Sequence, residues 1–317
     1  MEEAVFISIC IPAYKRVSFL KRLLDSIQIQ TYRHFEVVVT DDSPDNEVFE
    51  LCQAHPLSDS IRYFKNEKNL GTPENWNESL RRARGEWIKL MHDDDWFGVP
   101  DALKILAGAV QHHPQALFFY SAYTNVYLDR NINEEVLISR NWQKILEKDT
   151  KALLYSNRIG PPSVIFHKQT PGILYDPALK WLVDIDFYIR FLRNTPPVLI
   201  PENLIKVGLG EDQVTKQVFG NPVVEIPENL YFLNKIGIQS LKNIIVYDAF
   251  WRFIRNLNIR TMAQVRGAGY GTPVPVIIES MIRFQSAIPK AILKTGIFSK
   301  FFMFLHYIIN YAKLTRG

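Results

Sequence analysis

Cysteine is scarce in this sequence: Cys10 and Cys52 are the only two among 317 residues, too few for a disulfide framework. Both lie in apolar or helix-like stretches, so we expect small core residues rather than nucleophiles. Long hydrophobic runs are also missing, and the charge-free stretch 301–312 is shorter than the ~20 residues that span a bilayer. The first residues include two acids and lack the basic start of a signal peptide, which predicts a cytoplasmic protein.

Acidic residues are absent after Glu279, whereas six basic residues follow it. The remainder of the chain then holds 31 basic and 33 acidic residues, a formal charge of −2. Because the body of the chain is not basic, we do not expect a nucleic-acid partner. The basic, apolar segment 280–317 is typical of an amphipathic helix on an anionic membrane surface. A helix docked on the rest of the protein, or a partner interface, is the alternative.

Two phosphate-binding motifs are also missing, because no G-x-G-x-x-G follows the first strand-like run and no G-x-x-x-x-G-K-[ST] occurs. Apolar, β-branched runs at 5–11, 35–40, 61–65 and 86–92 alternate instead with helix-length segments. This alternation predicts βαβ units on a mostly parallel sheet. Further strands are predicted at 116–129 and 160–169, and a helix at 181–194.

The pattern divides the chain into two regions. We place the main α/β domain at residues 1–220. A mostly helical region follows at 221–317, and its last part, from about residue 280, is the basic amphipathic tail.

Acidic residues stand directly after the second and fourth predicted strands, in "TDDSPD" and "HDDDW". Ligands of open α/β sheets bind at the carboxyl ends of the strands. Adjacent carboxylates repel one another and lose hydration, so they need a cation, helix-end amides or open water. Oxygen ligands of this kind suit Mn²⁺ or Mg²⁺ with a bound diphosphate, whereas zinc is disfavoured because His92 is the only imidazole nearby in sequence. A solvated loop or helix start is the alternative.

Two longer stretches carry a family resemblance: "SICIPAYKRVSFLKRLLDSIQIQTYRHFEVVVTDDSPD" and "NLGTPENWNESLRRARGEWIKLMHDDDW". Together they resemble the amino-terminal half of inverting family 2 glycosyltransferases, over roughly residues 5–215. The resemblance implies the GT-A fold, a Rossmann-like, mixed, mostly parallel sheet with helices on both faces, here with a helical carboxyl-terminal extension. It also implies transfer of a sugar from a nucleotide-sugar donor, a UDP-sugar by preference, to a glycan hydroxyl.

The resemblance assigns nucleotide-binding roles to residues at the strand ends. They are Pro12, Ala13 and Tyr14 around the base, Asp42 as acceptor of a hydrogen bond from uracil, and Asn69, Gly71 and Asn77 below the nucleotide. Arg16 is a further nucleotide-binding residue. Turn or cap residues are the alternative interpretation, because Asp, Asn and Gly are preferred in any loop.

The metal-binding pattern of the family departs from its usual form here. Aligned on "MHDDDW", the pattern puts His92 where the first aspartate normally stands. Asp93 is then the intervening residue, on the nucleotide side, and Asp94 and Asp95 are the metal ligands. A shift by one residue makes Asp93 and Asp95 the pair. The resemblance therefore implies Mn²⁺ or Mg²⁺ with Asp94 as the preferred ligand, among three neighbours.

The resemblance also implies a catalytic base. The family motif E-D-x-D-x-x-x-R matches "LVDIDFYIR" with Val183 in place of the glutamate, which makes Asp184 the general base and Asp186 the fallback; a helix N-terminal acid is the alternative. Many relatives carry a diphosphate-binding histidine where this chain has Gly210. The diphosphate is then left to the metal or to Lys216.

Taken together, the sequence predicts an enzyme of polysaccharide assembly that is peripherally attached to the inner face of the membrane and acts on a lipid-linked glycan acceptor. Homo-oligomerisation is left open. One rival is a nucleotidyltransferase, which also uses strand-end acids and Mg²⁺, but "IPAYKR" lacks the glycine-rich loop. A second rival is an inactive homologue that serves as a membrane-associated partner protein.

Overall fold

The computed structural model describes residues 4–130, 132–210 and 218–315. The chain forms two compact units. The first contains the described residues of 1–150, 158–177 and 186–213, and the second those of 151–157, 178–185 and 214–317. The domain boundary that we placed at residue 220 stays a prediction.

The first unit is built on a mixed sheet with nine strands in the described residues. The strands are β1 Ile7–Ala13, β2 Phe35–Asp41, β3 Ile61–Lys65, β4 Trp87–Leu90, β5 Trp96–Phe97, β6 Phe118–Tyr127, β7 Ile132–Val136, β8 Ile165–Lys168 and β9 Val198–Leu209. Their order is β3-β2-β1-β4-β8-β6-β9-β5, and β7 pairs with β6. The strands predicted in the first third of the chain are all present.

The two longest ladders of this sheet are parallel. β1 pairs with β2 and β4, β2 with β3, and β6 with β9 in parallel, whereas β5, β7 and β8 pair antiparallel. The predicted mixed, mostly parallel sheet is therefore confirmed. Because β1, β2 and β4 run in one direction, the residues that follow Ala13, Asp41 and Leu90 share one edge of the sheet.

Six helices occur along the first 200 residues in the described part of the chain. They are α1 Val17–Gln28, α2 Glu47–Ala54, α3 Glu74–Arg82, α4 Ala102–His112, α5 Arg140–Lys148 and α6 Val183–Phe191. Helix α1 buries Leu20, Leu23, Leu24 and Ile27, which recur at helical spacing along one face, while Phe19 beside them is half-buried. The segment 160–169 is a strand only in its second half, because Pro162–Val164 form a 3₁₀ turn before β8.

The carboxyl-terminal region is helical, as predicted. Its helices are α7 Pro222–Ile236, α8 Ile244–Asn256, α9 Met262–Gly267, α10 Val276–Ser286, α11 Lys290–Lys294 and α12 Gly296–Thr315. They share a core around the fully buried Tyr247 and Trp251. Of the helices in the described residues, none is long and apolar enough to cross a membrane.

A close backbone approach beside β4 yields the first prediction. A Cβ atom on Gly85 would lie 2.8 Å from Phe6 O and from Ser8 N, and neither backbone atom can move without distorting β1. We expect Gly85→Ala to lower the free energy of unfolding by about 1–3 kcal/mol, measured by urea denaturation.

The matched control is Gly108→Ala on α4, where an added Cβ would meet no atom within 4 Å. This substitution should raise the free energy of unfolding by about 0.5–1 kcal/mol, because alanine loses less backbone entropy in a helix. Equal stability of the two variants would contradict the crowding at Gly85.

Candidate active site

The aspartate triplet after β4 is buried. Asp93, Asp94 and Asp95 are 3%, 8% and 2% exposed, and α4 begins only at Ala102. The three carboxylates therefore neither lie in open water nor cap that helix. Both alternatives to a ligand site that the sequence left open, a solvated loop and a helix start, are at odds with this geometry.

Arg16, just past the end of β1, supplies positive charge to the triplet. Its Nη1 lies 2.9 Å from Asp94 Oδ2, its Nε donates to Asp93 Oδ2 at 3.3 Å, and its Nη2 pairs with Asp93 Oδ1. Two of the three carboxylates are thus bound to one guanidinium, a charge-assisted arrangement that offsets part of their desolvation.

Burial governs the protonation of the groups around the triplet. It raises the pKa of Asp93 to about 7 against the opposing effect of Arg16, and it raises the pKa of Asp95 well above its ordinary value. Burial lowers the pKa of His92 to about 4 and that of Lys89 to about 7. The His92 imidazole is therefore neutral at pH 7, which is the form that binds metal ions.

Backbone contacts from other elements position Asp94 and Asp95. Arg22 of α1 donates from Nη2 to the carbonyl oxygen of Asp94 at 2.8 Å and stacks on the Trp96 ring, 3.7 Å from its centroid. The Gly208 amide of β9 donates to Asp95 Oδ1 at 3.0 Å. A Cβ atom at Gly208 would collide with Asp94 O, so this close approach of β9 to the triplet requires glycine.

Three side chains at this place fit a divalent cation. His92, Asp94 and Asp95 each offer a ligand atom, and these atoms all lie within 4.8 Å of one another. Within the described residues, His92 Nε2 is buried and has no hydrogen-bond partner, while its Nδ1 lies 3.7 Å from Asp95 Oδ2. A buried, neutral imidazole nitrogen beside two carboxylates suits Mn²⁺, and suits Mg²⁺ less because Mg²⁺ prefers oxygen ligands.

Asp42, after β2, organises the loop that follows β3. Its carboxylate accepts hydrogen bonds from Asn66 Nδ2 at 2.7 Å, from the Leu70 amide at 3.1 Å and from the Gly71 amide at 2.8 Å. Gly71 has φ +68°, which favours glycine. The Asn69 side chain is exposed, and its amide lies 3.5 Å from the carbonyl oxygen of Asp42. Asp42 and the predicted loop residues Asn69 and Gly71 therefore form one cluster.

The other residues with predicted nucleotide roles differ in accessibility. Pro12 and Ala13 are buried strand residues of β1, whereas Tyr14 is 45% exposed and can present its ring to a ligand. Asn77 is 1% exposed, and its amide group exchanges two hydrogen bonds of 2.8 Å with the backbone of Tyr175. The Asn77 side chain thus ties α3 to the segment around residue 175.

The two candidate bases on α6 have different surroundings. Asp184 accepts hydrogen bonds from Asn157 Nδ2 and from the Ile185 amide, both at 2.8 Å, and burial raises its pKa to about 6. Asp186 is 1% exposed, and its Oδ2 accepts a hydrogen bond from Arg190 Nε at 2.8 Å. Asp184 therefore has the pKa suited to a base near neutral pH, whereas Asp186 is held in an ion pair.

The sequence did not predict several residues that position the candidate site. Glu228 of α7 accepts hydrogen bonds from the amides of Lys180, Trp181 and Leu182, directly before α6. No pattern in the neighbouring sequence predicts this contact, because Glu228 lies inside a helix 46 residues further along the chain than Leu182. Asn66, by contrast, directly follows β3, so its position at a strand end was a usable signal. Lys216 lies outside the described residues.

The mixed sheet, with acidic side chains past the ends of β2 and β4, defines the class of proteins with the GT-A fold. Solved structures agree on the fold. Staphylococcus aureus TarS 1–349 in complex with UDP-GlcNAc superposes with a TM-score of 0.55 at 16% identity, covering 89% of this chain and 90% of that one. The mannosyltransferase PcManGT of Pyrobaculum calidifontis, in complex with GDP-Man and Mn²⁺, superposes with a TM-score of 0.54 at 14% identity, covering 98% of this chain and 87% of that one.

The sequence narrows this class to a family. The model for glycosyl transferase family 2 matches residues 8–166, half of the chain, and the protein belongs to that family. An uncharacterized glycosyltransferase of Haemophilus influenzae is 28% identical over 192 residues, which are 59% of this chain and 62% of that protein. The GalNAc(5)-diNAcBac-PP-undecaprenol beta-1,3-glucosyltransferase of Campylobacter jejuni is 28% identical over 148 residues, which are 46% of this chain and 45% of that protein. The chain thus spans less than two thirds of either relative.

The contact between β9 and the triplet yields the second prediction. Gly208→Ala should push Asp94 away from β9 and weaken the binding of Mn²⁺ with UDP by about tenfold or more, since overpacking costs about 1–3 kcal/mol. Isothermal titration of the metal and nucleotide measures this loss.

Gly108→Ala on α4 is the control, because a Cβ there would meet no atom of the described residues within 4 Å and the position lies outside the site. It should bind Mn²⁺ and UDP like the unchanged protein. Equal loss in both variants would show that β9 does not position the triplet.

Proposed function

We propose that the protein transfers a sugar, with inversion, from a UDP-sugar to a hydroxyl of a lipid-linked glycan, with Mn²⁺ or Mg²⁺ as cofactor. The observation that carries the proposal is the group of half-buried His92 with buried Asp94 and Asp95, whose ligand atoms lie within 4.8 Å of one another at the edge of the sheet where ligands bind in open α/β folds. Family membership favours it over a nucleotidyltransferase.

Asp94 and Asp95 are the proposed metal ligands, and the structure adds His92 as a third candidate. A cation held there would neutralise the diphosphate leaving group. Arg16 is a candidate positive charge for donor phosphates, because its guanidinium lies against Asp93 and Asp94. PcManGT with Mn²⁺ supports the choice of metal, and TarS with UDP-GlcNAc supports a UDP-sugar.

Asp184 is the proposed general base. Inverting transfer is a single displacement, in which a carboxylate removes the proton of the attacking hydroxyl as the sugar leaves the diphosphate. The Asn157 and Ile185 hydrogen bonds orient the Asp184 carboxylate, and its raised pKa makes it a stronger base than an ordinary aspartate. These features also argue against an inactive homologue.

The acceptor is proposed to be a lipid-linked glycan at the inner face of the cytoplasmic membrane, in polysaccharide biosynthesis. Two observations support this step. The Campylobacter jejuni relative is named for a glycan on PP-undecaprenol. The segment after Glu279 has basic residues and no acids, which suits an anionic membrane surface.

The experiment that tests the function is a thermal-shift titration of the full chain with UDP, GDP and dTDP, each with and without Mn²⁺. We expect UDP with Mn²⁺ to raise Tm by roughly 5 °C at a hundredfold excess over Kd, because ligand binding stabilises the native state by mass action. His92→Ala should reduce the part of the shift that depends on Mn²⁺.

His113→Ala is the control for His92→Ala, since His113 is an exposed histidine at the end of α4 and lies outside the triplet. Its titration should match that of the unchanged protein. If no nucleotide shifts Tm under any metal condition, the proposed transferase activity is wrong.

A further prediction concerns the proposed general base. Below pH 6 the Asp184 carboxylate becomes protonated and cannot accept a proton, so log kcat should fall with decreasing pH and level off above about pH 6. Asp184→Asn should lower kcat by about 10²–10⁴-fold and still bind UDP. Steady-state rates between pH 5 and pH 8 would be measured.

Asp186→Asn separates the two candidate bases. It breaks the ion pair with Arg190 and should lower Tm, yet the rate should keep its dependence on a group that titrates near pH 6. Loss of that pH dependence in Asp186→Asn, with full activity in Asp184→Asn, would make Asp186 the base.

A further inference from the structure

Helix α12 has an inverted distribution of polar and apolar side chains. Its polar residues Ser299, His306 and Asn310 are at most 3% exposed. Seven large apolar side chains are instead 39–81% exposed, and we call them the outer face: Ile297, Phe298, Phe301, Phe304, Leu305, Ile308 and Ile309. Their spacing of three and four residues places them in one stripe about 140° wide.

Hydrogen bonds fix the rotation of α12 so that this face points away from the core. Trp251 Nε1 donates to Ser299 Oγ at 3.1 Å. The His306 ring contacts Tyr247 Oη at 2.6 Å through Nδ1 and Ser280 Oγ at 3.0 Å through Nε2. These partners lie on α8 and α10. Turning the outer face inward would break all three hydrogen bonds and leave buried polar groups unpaired.

An exposed apolar stripe of this size marks an interaction surface. Its flanks are positively charged: on a helical projection Lys300 and Lys313 lie about 40° beyond its two edges. Lys290 and Lys294 of α11 are also exposed, and the sequence contains no acidic residue after Glu279. An apolar centre with cationic flanks complements an anionic phospholipid surface.

A second copy of the chain complements this surface less well. A symmetric interface through the outer face would bring Lys300 and Lys313 of one copy against the same region of the other. No acidic residue after Glu279 can pair with them there. Like charges facing one another across an interface oppose association.

We propose that the outer face of α12 inserts into the headgroup region of an anionic bilayer, with Lys300 and Lys313 contacting lipid headgroups. The helix then lies along the membrane surface. The inference deepens the proposed function and rests on it for the acceptor, because a lipid-linked acceptor is presented at a bilayer; the membrane contact itself needs no catalysis.

The test is flotation of the full chain with phosphatidylglycerol-containing vesicles and with pure phosphatidylcholine vesicles. We expect binding to the anionic vesicles that weakens with salt. The triple variant Phe301→Ser, Phe304→Ser and Ile308→Ser should bind at least tenfold less. Lys300→Gln with Lys313→Gln should lower binding to anionic vesicles by about fivefold per lysine, with little change on neutral vesicles.

The matched control removes three apolar side chains of similar exposure elsewhere, with Ile29→Ser, Ile132→Ser and Leu137→Ser. This variant should bind vesicles like the unchanged protein. Equal loss in both triple variants, or no binding by the unchanged chain, would overturn the inference. So would a triple variant on α12 that converts a dimer into a monomer without altering flotation, since a second copy would then cover the face.

Catalysis and membrane binding are separated by two further measurements. Asp184→Asn should float with the vesicles as the unchanged protein does. A chain that shifts its Tm with UDP and Mn²⁺ but ignores vesicles would refute the membrane inference alone. A chain that floats but binds no nucleotide would refute the proposed function alone.

Discussion

Mutual repulsion of three buried carboxylates at the end of β4 is the constraint on which the candidate site depends. Asp93, Asp94 and Asp95 have little water around them, so burial raises the pKa of Asp93 and of Asp95, and protein groups must offset the charge that remains. Arg16, just past the end of β1, pairs with Asp93, and the Gly208 amide of β9 donates a hydrogen bond to Asp95. The triplet is therefore tolerable only where the sheet order brings those elements together, which links the fold to the site.

The chain buries its acids in two different ways. Asp42 and Glu228 accept hydrogen bonds from backbone amides, which cannot leave without unfolding their segments. Asp93 and Asp94 are held by the Arg16 side chain, which is 36% exposed and can rotate. A divalent cation that binds Asp94 competes with this guanidinium. The first arrangement supports structure, whereas the second permits exchange of partners at the place where a donor is proposed to bind.

The sequence predicted the sheet and the location of the site for physical reasons that are local. Buried parallel strands need continuous β-branched runs, and polar residues at their carboxyl ends stand out against those runs. It could not predict that β8 pairs between β4 and β6, nor that Glu228 holds the amides before α6, because both depend on contacts between segments far apart in the chain. The neutral state of His92 likewise follows from burial, which no neighbouring residue in the sequence reveals.

The same limit applies to α12, where composition indicates an amphipathic helix but not which face is buried. By hydrophobicity alone the aromatic stripe would turn inward and His306 outward. The hydrogen bonds of Ser299 and His306 with Trp251, Tyr247 and Ser280 set the opposite orientation, together with the burial of Met303 and Leu314 on the inner face. Such bonds are net worth about 1 kcal/mol each, less than the burial of several phenylalanine and isoleucine side chains would contribute. The observed orientation therefore leaves a large apolar stripe in water, and an apolar surrounding for the outer face would remove that exposure.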